Sequence, residues 1–192
     1  DRRQRQMCIR DSSMREGKWE KKAYGKGIEL QGKTLGIVGF GRIGQHLGVM
    51  AKAIGMNVIA FDIFRIPGIE EQLGIPYVEM DELLAKSDFV SVHAPAVDGG
   101  ALISAENIAK MKDGVVVINT SRGTNVDEAA LLAALESGKV RAAGLDVYAD
   151  EPATNKALYS HPMVSCTPHI GAATVEAQKR IGAEIVDIIK AM

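Results

Sequence analysis

The sequence predicts a doubly wound parallel α/β sheet in three layers, and three observations carry that prediction. Short runs rich in Val and Ile alternate with stretches of helical period from residue 32 onward. The strand-like runs are apolar at nearly every position, as strands covered on both faces must be. One of them ends in glycines that open directly into a helical pattern. Composition agrees: 192 residues with 46% hydrophobic content suit one domain with a sizeable core, and only 5% aromatics makes that core aliphatic. A formal charge of −1 offers neither nucleic acid nor a membrane surface a basic face. No apolar run reaches the roughly 18 residues of a bilayer span. Two cysteines, Cys8 and Cys166, make neither a disulfide framework nor a zinc site, and no metal-ligand spacing occurs. A cytoplasmic globular domain is expected.

The elements follow in order. Residues 1–12, DRRQRQMCIRDS, carry neither strand nor helix period and are read as a non-native tail. Without its four Arg and two Asp the rest holds 19 basic and 22 acidic residues, or −3. Residues 13–31 read as a connector with helical propensity. Residues 33–38 form the first strand. Residues 43–54 form a helix whose Ile43, Leu47, Met50, Ala51 and Ile54 share one face. Residues 57–61 are a second strand, Tyr77-Val78 a weak third, and 81–86 a short helix with Asp81 as N-cap. Residues 89–92 and 115–118 are strands around a helix at 104–111, which Ser104 can cap. The Ala/Leu-rich stretch 127–137 is a helix stopped by Gly138. Residues 140–147 and 164–166 are the last strands. Residues 175–192 form a long amphipathic helix after a dinucleotide domain at 32–174.

The glycines are the most specific signal. Gly39-Phe40-Gly41-Arg42-Ile43-Gly44 is G-x-G-x-x-G placed between a strand and a helix, the context that makes this pattern diagnostic of a Rossmann-type domain. Gly39 permits the tight turn, Gly41 lets the backbone approach a pyrophosphate, and Gly44 allows close strand–helix packing. The helix N-terminus offers free N–H groups to the anion. Asp62, 18 residues beyond Gly44, ends the second strand where a carboxylate accepts hydrogen bonds from adenosine ribose hydroxyls. A 2′-phosphate would meet that charge, so NAD is expected over NADP, with nearby Arg65 able to soften the preference.

Ligands of open α/β sheets bind at the C-terminal ends of the strands, and three polar residues stand there. Arg122, in Asn119-Thr120-Ser121-Arg122-Gly123, presents a fork suited to a carboxylate or a keto oxygen. Taken alone, Glu151 fits a solvated loop carboxylate, and His169 fits a capping or core histidine. Together they suggest hydride-transfer chemistry. A carboxylate beside His169 favours its imidazolium, which can then protonate an alkoxide and reclaim the proton in reverse. His93 is expected to line the cofactor crevice, while His46 and His161 carry no expected role. No Gly-x-Ser-x-Gly elbow suggests a hydrolase.

From residue 13 to 192 the chain resembles the cofactor domain of the D-isomer-specific 2-hydroxyacid dehydrogenases. The likeness runs through Gly17-Lys18-Trp19, residues 35–44, 119–123, 126–131, 144–152 and 167–172. It implies catalytic roles for Arg122, Glu151 and His169. It also implies that Gly39, Gly41, Arg42, Ile43, Gly44, Asp62, His93, Ala94, Pro95, Thr120, Ser121, Arg122, Asp146, His169, Gly171 and Ala172 line the NAD site, with Asp146 holding the nicotinamide carboxamide. Residues 167–184 look most similar to bacterial phosphoglycerate dehydrogenases, implying oxidation of 3-phosphoglycerate at the start of serine synthesis. Relatives acting on glyoxylate, hydroxypyruvate or D-lactate share the three catalytic residues, as do NAD-sensing corepressors. A small 2-hydroxy or 2-keto acid is the implied substrate, and a homodimer through the cofactor domain the implied assembly. Two features depart from the family. The segment Pro95 to Ile103 is shorter than its usual counterpart and lacks its threonines. A substrate domain, towards which the last helix would run, is missing, so the chain is expected to be an inactive fragment of a longer enzyme.

Overall fold

The structure, a computed structural model, describes residues 14–19, 21–24 and 27–191. The expected tail at 1–12 lies outside the described residues, as do Met192 and parts of the connector. Within the connector, Lys21–Tyr24 makes one helical turn. The domain then runs β1 (Thr34–Val38), α1 (Arg42–Ala53), β2 (Asn57–Phe61), α2 (Ile69–Leu73), α3 (Met80–Lys86), β3 (Phe89–Val92) and α4 (Ala105–Lys110). It continues through β4 (Val115–Asn119), a 3₁₀ turn (Gly123–Asn125), α5 (Glu128–Ser137), β5 (Val140–Leu145), α6 (Lys156–Tyr159), β6 (Val164–Cys166) and α7 (Val175–Ala191).

All strand pairs are parallel, in the order β2-β1-β3-β4-β5-β6, so the doubly wound Rossmann-type sheet is observed. The chain reverses its direction of growth between β1 and β3, which leaves a crevice at that switch point. The register is the feature that positions the site. Phe61, Val38, Val92, Asn119, Leu145 and Cys166 are successive cross-strand partners, so all six strands end in one row.

Alternation along the strands divides the core between the two faces. Leu35 and Ile37 of β1 join Val58, Ala60, Ala51, Ile69 and Ile75 on the α1–α2 side. Val38 joins Val90, Val92, Leu83, Leu84, Ile108 and Leu131 on the side of α3, α4 and α5. The cap at Ser104 forms as expected, and Asp127 proves to be a cap as well: each side chain accepts from the backbone N–H three residues on. Gly138 ends α5 in the left-handed conformation.

The face shared by Ile43, Leu47, Met50, Ala51 and Ile54 is split: Ala51 is buried and Leu47 packs against the core, while Ile43, Met50 and Ile54 are more than half exposed. The buried residues of the helix are Gly44, Gly48 and Ala51. A Cβ at Gly44 would overlap the Gly39 carbonyl oxygen, and one at Gly48 would stand 2.7 Å from Ile75 Cδ1. Close approach to the sheet therefore outweighs burial of the larger side chains. Asp81 is not an N-cap: α3 starts at Met80 behind Glu79, and the Asp81 carboxylate sits in the first turn paired with Lys110 at 2.9 Å. Tyr77-Val78 forms no strand but a single bridge, with Val78 N–H donating to the Ala60 carbonyl. Helix α2, not anticipated from sequence, fills the space before it.

Gly36 lies mid-strand under α3, where a Cβ would overlap the Ser87 hydroxyl and come within 2.6 Å of Leu83 Cδ2. Gly36→Val overfills that contact. We expect it to lower stability by about 1–3 kcal/mol, read as a shift in the urea unfolding midpoint.

Candidate functional site at the strand ends

One residue beyond the common row stand Asp62, Gly39, His93, Thr120, Asp146 and Thr167, each opening its own loop. The sequence-predicted residues are thus gathered at one edge of the sheet.

At the β1–α1 turn, Gly39 takes φ +93, and a Cβ there would come within 2.5 Å of the Ala94 amide nitrogen. Gly41 precedes α1 with no side-chain cap, and nothing lies within 4 Å of where its Cβ would be. The first-turn amides of α1 therefore face open space without a competing acceptor, as a bound pyrophosphate requires. The Asp62 carboxylate accepts from the backbone N–H groups of Phe40 (2.6 Å) and Phe64 (2.9 Å). These bonds fix it beside the turn, and each oxygen keeps a lone pair for a ribose hydroxyl. Arg65 is turned to other partners: it bonds Glu79 at 2.6 Å and lies over the Tyr77 ring. The dinucleotide therefore fits these residues in its unphosphorylated form. Ala94 and Pro95 border the same turn. His93, half-buried, meets the Ser91 hydroxyl at 2.8 Å through Nε2, and burial holds its pKa below the ordinary value.

Past β4, Arg122 is exposed; it bonds the Ser121 carbonyl at 2.7 Å and makes no ion pair among the described residues. Ser121 itself is buried, its hydroxyl donating to Asn119 Oδ1 at 2.8 Å. The next residue, Gly123, lies against the Tyr148 carbonyl so closely that any side chain would overlap it. Glu128 Oε1 accepts from the Ala149 N–H at 2.9 Å across the same seam. The loops that carry Arg122 and Glu151 therefore lie in close contact and are tied by the Glu128 side chain, which motif reasoning missed. The Arg-Gly pair was its only visible sign.

Asp146 is buried and satisfies three donors: Thr167 Oγ1 at 2.6 Å, and the N–H groups of Ile170 and Gly171 at 2.9 Å each. Burial works against its charge, but these bonds and the nearby His169 outweigh it and hold the carboxyl below its ordinary pKa. The loop so clamped includes His169 at φ 54, the sole non-glycine with positive φ among the described residues. That conformation is uncommon for a residue with a Cβ and persists where its surroundings impose it. It brings His169 Nδ1 to 2.8 Å from Glu151 Oε2. The histidine contact, then the Tyr148 N–H, keeps the Glu151 carboxyl below its ordinary pKa. A cavity of about 390 Å³ opens beside the pair, lined by Tyr148, Pro152, Tyr159, Cys166 and Pro168. Ala172 follows the clamp and is exposed.

Comparison with known proteins places this arrangement. Residues 3–171 match the family model of the D-isomer specific 2-hydroxyacid dehydrogenase NAD binding domain. The chain belongs to this family. It is 51% identical over 181 residues to a hydroxypyruvate reductase of Thermotoga maritima, covering 92% of this chain and 58% of that protein. It is 45% identical over 187 residues to a D-3-phosphoglycerate dehydrogenase of Mycobacterium tuberculosis, covering 97% of this chain and 35% of that one. Among solved structures it superposes with a TM-score of 0.84 on D-lactate dehydrogenase from Aquifex aeolicus complexed with NAD and lactic acid. That match has 34% identity and covers 94% of this chain and 59% of the other. The chain thus spans from about a third to somewhat over half of these relatives, and it is a NAD-binding domain of the D-2-hydroxyacid dehydrogenase family.

Asp146→Asn places an amide N–H against backbone N–H donors. We expect it to cost about 1–3 kcal/mol at pH 7. A carboxylate whose folded pKa is lowered stabilises fully above the unfolded value near 4 and loses that contribution as pH falls through the folded value. The gap between wild type and variant should therefore close on acidification below about pH 4, measured by unfolding at stepped pH.

Proposed function

We propose that the chain is the cofactor-binding and catalytic-residue half of an NAD-dependent 2-hydroxyacid dehydrogenase in which His169 moves the proton. The contact of His169 with Glu151, on a loop that Asp146 forces into shape, supports this reading most directly. Bound NAD supplies the acceptor or donor for the hydride at the substrate's C2. The residues of the chain do the rest. Arg122 holds the substrate carboxylate and polarises the C2 oxygen. Glu151 fixes Nδ1 of His169 and leaves Nε2 to face that oxygen. In oxidation Nε2 takes the hydroxyl proton as the C2–H bond is lost; in reduction it returns the proton to the oxygen.

The residues around the β1–α1 turn, with Asp62, Ala94, Pro95 and Thr120, would line the dinucleotide, and Asp146 would hold the carboxamide. The substrate we favour is 3-phosphoglycerate, at the start of serine synthesis, on the pattern of residues 167–184 and the phosphoglycerate dehydrogenase likeness. The 51% identity to a hydroxypyruvate reductase supports a second reading, with hydroxypyruvate as substrate. We infer a cytoplasmic homodimer, for which the outward stripe Ile43, Met50 and Ile54 on α1 offers an apolar surface. No helix among the described residues is long and apolar enough to cross a membrane.

In the full-length parent protein, His169→Ala should lower kcat by about two to four orders of magnitude while leaving the NADH Kd within a few-fold. Stopped-flow turnover and fluorescence titration measure the two. Turnover that survives the substitution would remove His169 from the acid/base role. Assaying 3-phosphoglycerate against hydroxypyruvate with the same protein decides the substrate.

A further inference from the structure

Asn125 closes the 3₁₀ turn behind Arg122, and its side chain is wholly buried. Its Nδ2 donates to the carbonyl oxygens of Ala94 at 2.9 Å and Pro95 at 3.2 Å, on the loop after β3. The same nitrogen lies 3.1 Å from Ser121 Oγ, which is bonded in turn to Asn119. Asn119 Nδ2 donates to the Arg122 carbonyl at 2.8 Å. Meanwhile the backbone carbonyl of Asn125 accepts from the Ile103 N–H at 2.9 Å. One residue therefore staples both ends of the segment Pro95 to Ile103, the segment that departs from the family pattern. Between the staples Gly99 and Gly100 hold φ of +101 and +118.

The carboxamide is costly where it sits. Its Oδ1 is buried with no hydrogen-bond partner among the described residues. A leucine would remove that orphan acceptor, but it is larger and would leave the Ala94 and Pro95 carbonyls without their donor. The stapled wall is also the one that Gly39 approaches, since only a glycine fits against the Ala94 amide.

We propose that Asn125 is a positioning residue of the cofactor crevice: its amide holds the Ala94–Pro95 wall against the Gly39 turn and in fixed relation to the Arg122 loop. The inference rests on the reading that these residues line the dinucleotide site. It assigns Asn125 a part in setting cofactor affinity, beyond holding the fold.

The test compares Asn125→Leu and Asn125→Asp with the wild-type chain by NADH fluorescence titration, thermal melting and hydrogen exchange. Asn125→Leu should bind NADH about tenfold more weakly than wild type, with faster amide exchange across residues 96–102. Asn125→Asp, which sets carboxylate oxygens against two carbonyls, should weaken binding further. An Asn125→Leu protein that binds NADH within twofold of wild type overturns the proposal, whether or not its melting point has fallen. Should that variant not fold, Asn125→Ser is judged by the same criterion. A folded wild-type chain that fails to bind NADH overturns the cofactor reading itself, a result that needs no variant to see.

Discussion

The in-register parallel pairing of six strands is the constraint on which the site depends. Because Phe61, Val38, Val92, Asn119, Leu145 and Cys166 lie level, every crossover returns the chain to the same edge. Residues distant in sequence then open adjacent loops: Asp146 and Thr167 are 21 positions apart yet meet at 2.6 Å. A slip of one residue in any strand would turn its buried side chains to the other face. The division of the core into two faces, with Val38 on one and Ile37 on the other, fixes the register and so the height of each loop.

Within that edge, buried polar groups do the positioning and exposed ones stand free for chemistry. Asp146 is buried and bonded to three donors, whereas His169 and Glu151 keep roughly half of their side-chain surface open. A buried carboxylate is expensive unless its hydrogen bonds are satisfied. Three donors satisfy this one, and the strain of a left-handed His169 is carried by the same contacts. Tyr148 adds a brace, its hydroxyl donating to the Thr167 carbonyl at 3.0 Å. Because the shape of the loop comes from groups that the reacting atoms need not touch, the histidine ring stays free to work.

Much of this was legible in the sequence because local chemistry reports it. Near-continuous apolar runs announce a parallel sheet, G-x-G-x-x-G between strand and helix announces its ligand, and Ser104 announces its helix. What was not legible depends on contacts between distant segments. The shared apolar face of α1 does not reveal that Gly48 packs against Ile75 and leaves Ile43, Met50 and Ile54 exposed. Asp81 satisfies the preference for an N-cap, yet the helix begins one residue earlier and Lys110 takes its charge. The Gly123–Tyr148 seam shows only as an Arg-Gly pair and the Asn125 staple has no local signature, because each joins loops that follow different strands.

The preference for NAD follows from how firmly the groups around the adenosine end are held. Asp62 is tied twice to backbone, at Phe40 and Phe64, and is thereby fixed in place at the turn. The diversion of Arg65 is weaker. Its partner Glu79 is largely exposed, and ion pairs of that kind contribute about 0–1 kcal/mol. The Tyr77 ring beneath the guanidinium, 5.6 Å from it, adds about 0.5–1 kcal/mol. These magnitudes could not by themselves keep an arginine from a phosphate dianion. The fixed carboxylate, rather than the restrained arginine, must therefore carry the discrimination against a 2′-phosphate.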